Sequence, residues 1–122
     1  MMRALRFAKP RAWLAAIAVL LAITAAGAPP IFEIEIRNHL FQPDVVKIPA
    51  NTKVKLIVYN RDATPEEFES FELNREKVIM GGAKGVVYIG PLRPGEYPFF
   101  GDFNPNTALG KIIVEDDGDA GQ

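Results

Sequence analysis

Three glutamates in the stretch PEEFES (Glu66, Glu67 and Glu69), an aspartate at position 102 and a single histidine, His39, hold most of the chemical potential of this 122-residue chain. Glu67 and Glu69 are two residues apart, so on a strand their carboxyl groups point to the same side. Carboxylates gathered with few neutral donors suit a hard ion such as iron, manganese or calcium better than Cu(I). The plain alternative is a solvated acidic face without an ion. His39, within RNHLFQP, is either an imidazole ligand or proton acceptor, or a turn residue between two strands with Phe41 turned into the core. There is no cysteine, so no thiolate is available as nucleophile or ligand. No HExxH, CxxC, GxSxG or dinucleotide fingerprint occurs. The glycines after Met80 lack the spacing and the following helix that a phosphate-cradling loop needs. Without an acid, base and nucleophile set, an enzyme is the least supported class.

The elements that must position these residues are strands. In IFEIEIR, Phe32, Ile34 and Ile36 alternate with Glu33, Glu35 and Arg37, the period of a strand with one buried face. VVKIP, KVKLIVYN, EFESFEL, EKVIM, GVVYIG, EYPFF and GKIIVED read as further strands, and turn signals such as PANT, NRDATP, MGGAKG and RPG separate them. No segment longer than about ten residues has helical periodicity, so a β-sandwich is the natural solution. At the RPGEY corner, Tyr97 stands just beyond a Pro94-Gly95 turn, where its hydroxyl can bond back to the backbone as in Greek-key sandwiches. Asn104 followed by Pro105 reads as an N-cap and first-turn pair. Gly101 reads as a backbone position needing positive φ or a close approach.

The N-terminal stretch differs in kind. Arg3, Arg6, Lys9 and Arg11 precede an apolar run from Trp13 to Ile23, and small residues follow. That order predicts a secretory signal peptide over residues 1–26, cleaved after Ala26; an uncleaved anchor is the alternative, because the run approaches the lower limit for a membrane span. Without those residues 10 basic and 15 acidic side chains remain, a formal charge of −5. An acidic domain does not suit nucleic acid, whose phosphates need a basic surface. One domain with one core fits the length. The tail at 117–122 is acidic and lacks a large apolar residue, the composition of disorder.

Taken together, PANTKVKLIVYN, the LRPGEY corner and the closing YPFFGDFNPNTALGKIIVE segment resemble the cupredoxin family over residues 31–116. The resemblance implies an all-β Greek-key sandwich of seven to eight strands. Within that family the chain looks closest to small periplasmic cupredoxin-like proteins associated with iron uptake, through NRDATPEEFESFELNREKVI and the closing segment. By the same resemblance Gly101 stands where a copper-carrying member has its cysteine, Asn104 where it has a histidine, and Leu109 near its methionine. The acidic run at Glu66 and Glu67 takes the place of an earlier histidine. A blue copper centre needs a His₂Cys set, so none is expected here.

The resemblance further implies that the loop after Tyr97 and the EEFES segment meet at one end of the sandwich, bringing Asp102 towards the glutamates. The expected function is an exported accessory protein of metal handling, serving ferrous iron uptake. It would bind or relay a cation through Glu66, Glu67, Glu69, Asp102 and His39. Iron is the implied ion, ahead of copper or manganese. A membrane iron permease or a periplasmic metal-binding protein is the implied partner, with membrane contact only through that partner or an uncleaved signal. The alternative function is a metal-free interaction module that docks such a partner, with Phe103 as the residue to watch.

Overall fold

The computed structural model describes residues 27–116. The expected signal peptide at 1–26 and the acidic tail at 117–122 lie outside these residues. Alternation of apolar and polar side chains becomes nine strands: β1 (Ile31–Arg37), β2 (Leu40–Gln42), β3 (Val45–Pro49), β4 (Val54–Asn60), β5 (Glu66–Ser70), β6 (Arg75–Ile79), β7 (Lys84–Ile89), β8 (Gly95–Gly101) and β9 (Leu109–Glu115). They form a four-stranded sheet in the order β2-β1-β4-β7 and a five-stranded sheet in the order β3-β9-β8-β5-β6. Pairs β1/β4 and β3/β9 are parallel and the others antiparallel. The class is the expected all-β sandwich. No helix among the described residues is long and apolar enough to cross a membrane.

The count exceeds seven or eight because the segment after His39 divides. Pro43 has no N–H to give to a ladder, and on either side of the Pro43-Asp44 break the chain joins a different sheet. β2 pairs with β1, while β3 pairs with β9. A three-residue strand carries too few alternations to stand out in the sequence.

Inward residues of both sheets make one core. Ile34 and Ile36 from β1, Val54, Leu56 and Val58 from β4, and Ile112 and Val114 from β9 are all buried. Phe41, Phe68 and Phe99 meet at its centre: Phe41 is edge-on to Phe68 and Phe99 at 6.2 and 4.9 Å, and Phe68 lies 4.9 Å from Phe99. Such pairs add about 0.5–1.5 kcal/mol each beyond burial, and this trio ties β2 of one sheet to β5 and β8 of the other. The Tyr97 hydroxyl donates to the Arg93 carbonyl at 2.8 Å, closing the expected corner.

Two buried polar side chains set the approach to β5. Asn60 donates through Nδ2 to the carbonyls of Thr64 and Ile79 at 2.8 and 3.0 Å, and its Oδ1 accepts the Asp62 amide at 3.0 Å. Ser70 donates to the Pro98 carbonyl at 2.7 Å and accepts the Leu73 amide at 3.1 Å. The segment carrying the glutamates is thereby fixed at both ends.

Candidate functional site

Strand parity sorts the three glutamates before any packing is considered. Residues 66, 68 and 70 share one face of β5, and 67 and 69 share the other. Phe68 belongs to the core, so Glu66 is carried inside with it and is only 1% exposed, while Glu67 and Glu69 face outward. The parity that joins Glu67 to Glu69 is what separates Glu66 from both.

Inside, the Glu66 carboxyl group is held by the β8–β9 loop. Its Oε1 accepts the amides of Phe103 at 2.9 Å and Glu67 at 3.0 Å, and its Oε2 accepts Asn104 Nδ2 at 2.7 Å. Gly101 makes room for it. A Cβ at that position would lie 2.6 Å from Glu66 Cδ and 2.7 Å from Ala108 Cβ, so close approach, and not a left-handed backbone, explains the glycine. Asn104 corrects the capping expectation. Its side chain donates to Glu66, and its main-chain carbonyl closes the turn by accepting Thr107 and Ala108 amides at 3.2 and 2.9 Å. With a full acceptor here, the side chain serves tertiary structure and no helix forms over PNTAL.

Outside, Glu67 and Glu69 are joined by Glu76 of β6. One carboxyl oxygen from each lies within 4.8 Å of the others. Glu69 and Glu76 are directly opposed across the β5/β6 ladder, a placement that like charges make unfavourable. Asp102 adjoins them: its amide donates to the Glu67 carbonyl at 2.9 Å, and its side chain is within hydrogen-bonding reach of the Glu67 carboxyl group. Partial desolvation, then the charge of Glu69, the bond to Asp102 and the charges of Glu76 and Asp102, push the Glu67 carboxyl group above the ordinary glutamate range. Desolvation, then Asp102 and Glu76, push Glu69 the same way. Among the described residues none of these four acids is in an ion pair. The group resists its own charge, and a cation placed among the oxygens would relieve it.

His39 stands apart from this cluster. It and Asn38 form the two-residue turn between β1 and β2 with φ of 60° and 56°, the left-handed pair of a type I′ hairpin. Asp62 binds both turn amides, Asn38 at 2.7 Å through Oδ1 and His39 at 2.9 Å through Oδ2. The His39 Nδ1 lies 3.5 Å from the same carboxyl group. Burial raises the Asp62 pKa, but the amides of His39 and Asn38 with the charges of His39 and Arg37 outweigh it, and the net direction is down. His39 reaches the β8–β9 loop through its carbonyl, which accepts Thr107 Oγ1 at 2.8 Å. Phe41 is buried, as a turn at His39 requires.

The structure thus brings Glu67, Glu69 and Asp102 together and leaves Glu66 and His39 in other networks. Glu76 escaped the sequence reading. The signal for it was hairpin arithmetic: Glu69 and Glu76 lie equally far from the middle of the four-residue turn 71–74, so pairing β5 with β6 forces them opposite. Apolar side chains are also exposed nearby along the chain, Phe71 at 74% in the β5–β6 turn and Phe103 at 49% in the β8–β9 loop. Phe71 packs on Phe100, 5.4 Å between ring centres.

A family model described as Cupredoxin-like domain matches residues 10–114. The chain belongs to the cupredoxin-like domain family. An uncharacterized protein of Rickettsia prowazekii (strain Madrid E) is 48% identical over 84 residues, which span 69% of this chain and 67% of that one. The Cu(I)-bound metal-binding domain of the Cu(I)-exporting P-type ATPase CopA of Streptococcus pneumoniae D39 superposes with a TM-score of 0.62 at 13% identity, over 70% of this chain and 84% of that one. Auracyanin A, a blue copper protein of Chloroflexus aurantiacus, gives 0.63 at 14% identity, over 72% and 100%. At these identities the solved structures share the fold alone.

A type 1 copper centre does not fit this cupredoxin-like domain. The chain has no cysteine to supply the thiolate, and at Gly101 the space a Cβ would need is taken by the carboxyl group of Glu66. The oxygen donors that remain on the surface suit a harder ion.

Proposed function

We propose that the protein is an exported accessory of metal handling that binds a divalent cation, ferrous iron in the uptake setting, on Glu67, Glu69 and Glu76 with Asp102 beside them. The carrying observation is that carboxyl oxygens from two strands lie within 4.8 Å of one another and that, among the described residues, none of them is in an ion pair. An all-oxygen set favours Fe²⁺ or Mn²⁺ over Cu(I), and a place on the outer face of a sheet, with Glu67 and Glu69 half-buried and Glu76 exposed, suits an ion that is bound and passed on. A periplasmic location and a membrane iron permease as receiver complete the reading.

Calorimetric titration of the purified protein with Fe²⁺ under anaerobic conditions, then with Mn²⁺ and Cu²⁺, tests it. Saturable binding that is lost in the Glu69→Gln, Glu76→Gln double variant is the expected result. Absence of saturable binding, or binding unchanged in that variant, removes the metal role.

The second reading is a metal-independent docking module. It is favoured by the Glu66 network, in which the loop end of the sandwich is complete on its own hydrogen bonds. A partner retained in the presence of chelator would support it over the first.

A further inference from the structure

On the outer face of β5, β6 and β8 an aromatic pair, two opposed carboxyl groups and a depression lie side by side. Phe71, in the β5–β6 turn, is 74% exposed, and the ring contact it makes is to Phe100. Phe100 is in turn the ladder partner of Glu69 across β5/β8, and Glu69 faces Glu76 across β5/β6. Aromatic and acidic side chains therefore form one continuous row across three strands. Between them lies a depression of about 560 Å³ whose lining includes Glu69, Phe71, Asn74, Arg75 and Glu76. Arg75 also lines it and keeps its positive charge, but among the described residues it is in no ion pair with Glu69 or Glu76: its Nε donates to the Tyr88 carbonyl at 2.9 Å and its Nη1 to the Asn74 carbonyl at 2.9 Å, so the two carboxyl groups still outnumber it. Outward Val78 extends the apolar part of the face.

We propose that this depression is a docking site for an arginine side chain of a partner protein, presented on a segment with apolar neighbours. The chemistry selects that occupant. A planar guanidinium pairs with carboxylates in a fixed fork and stacks on an aromatic face, and the depression offers two carboxyl groups with Phe71 beside them. The apolar neighbours of the arginine cover Phe71, Phe100 and Val78, which otherwise face water. A lysine would satisfy the charge but not the stacking. A lipid surface is disfavoured, because anionic headgroups would meet four carboxylates of the same sign.

One consequence deepens the metal reading and rests on it. Glu69 and Glu76 are shared between the ion and the guanidinium, so an arriving partner displaces the cation from two of its ligands. Docking and release are then one exchange of cations at the same oxygens.

The test uses the purified protein and a labelled, end-blocked hexapeptide of alternating leucine and arginine, with a glutamine-for-arginine peptide as control. Binding is followed by fluorescence anisotropy in EDTA, so that it is independent of any metal. Saturable binding of the arginine peptide alone is expected, weakened about tenfold by Phe71→Ala and by the Glu69→Gln, Glu76→Gln pair. Glu33→Gln with Glu35→Gln, on the other sheet, should leave it within about twofold, as general attraction between distant charges is screened by salt. Equal binding of both peptides, or equal loss from acids of either sheet, or no effect of Phe71→Ala overturns the proposal. In a second arm Mn²⁺ is titrated with and without saturating peptide. A weakened apparent Mn²⁺ affinity is expected. Unchanged Mn²⁺ affinity overturns the exchange and leaves the docking result standing, whereas failure of both Fe²⁺ and Mn²⁺ to bind overturns the metal reading and the exchange that rests on it, and again leaves the docking result standing.

Discussion

Replacing Glu66 by alanine probes the one carboxyl group that is buried among the described residues, in a way that separates structure from metal chemistry. Three donors lose their acceptor: the amides of Glu67 and Phe103 and the side-chain amide of Asn104. A buried donor left unsatisfied costs about 1–3 kcal/mol. The vacated space is polar and larger than one water, so solvent enters and each donor stands near the low end, giving about 3 kcal/mol in total. For a domain of this size that corresponds to a fall in Tm of about 12–24 °C, at about 4–8 °C per kcal/mol. Glu66→Gln should cost far less, about 1 kcal/mol, because Asn104 can turn its amide to present oxygen to the new NH₂ group. The space in Glu66→Ala is also a ready-made anion site of three N–H donors. Formate at ten times its dissociation constant should restore about 1.4 kcal/mol. Chemical denaturation of the three proteins, with and without formate and with and without EDTA, is the assay. A loss below about 0.5 kcal/mol for alanine, or no response to formate, would show that Glu66 does not hold the loop. A wild-type stability that collapsed in EDTA would show that a metal does.

Gly101→Ala places a Cβ against Glu66 and Ala108 and should cost about 1–3 kcal/mol; since the clash is with the same carboxyl group, its cost should shrink in a Glu66→Ala background, a coupling read from a double-mutant cycle. Tyr97→Phe removes the bond to the Arg93 carbonyl and should lower stability by about 1 kcal/mol. The raised carboxyl groups of Glu67 and Glu69 make the folded protein hold more protons than the unfolded chain between the ordinary glutamate value of about 4.3 and their folded values. Their contribution to stability therefore improves as pH falls through that window and worsens as pH rises out of it. The Glu67→Gln, Glu69→Gln variant should flatten this part of the Tm-against-pH curve, and an unchanged curve would contradict the clustering. Asp62 has the opposite sign: its depressed carboxyl group contributes stability above its unfolded value that is lost as pH falls through the folded one. Asp62→Ala should remove that loss along with about 2 kcal/mol from the two turn amides.

Much of the fold could be read along the chain because sheet periodicity is local. Alternation in IFEIEIR, the Tyr97 corner and the turn at His39 each depend on residues within a few positions of one another, and each stands in the structure as expected. The short β2 was hidden because three residues carry almost no pattern.

The candidate site divides along the same line. By itself the sequence determined that no thiolate is present and that Glu67 and Glu69 share a face, since composition and the two-residue period require nothing beyond the chain. The same period puts Glu66 on the opposite face, which the expectation of a single cation site on Glu66, Glu67 and Glu69 overlooked. Tertiary structure decided which of those faces is the interior, because burial of Phe68 against Phe41 and Phe99 selects it. It decided that Glu76 completes the acidic group, because cross-strand neighbours are set by hairpin register. It also turned Asn104 from a cap into a donor to Glu66, 38 residues earlier in the chain. A side chain takes the partner that folding brings within 3 Å, and sequence distance carries no information about that encounter.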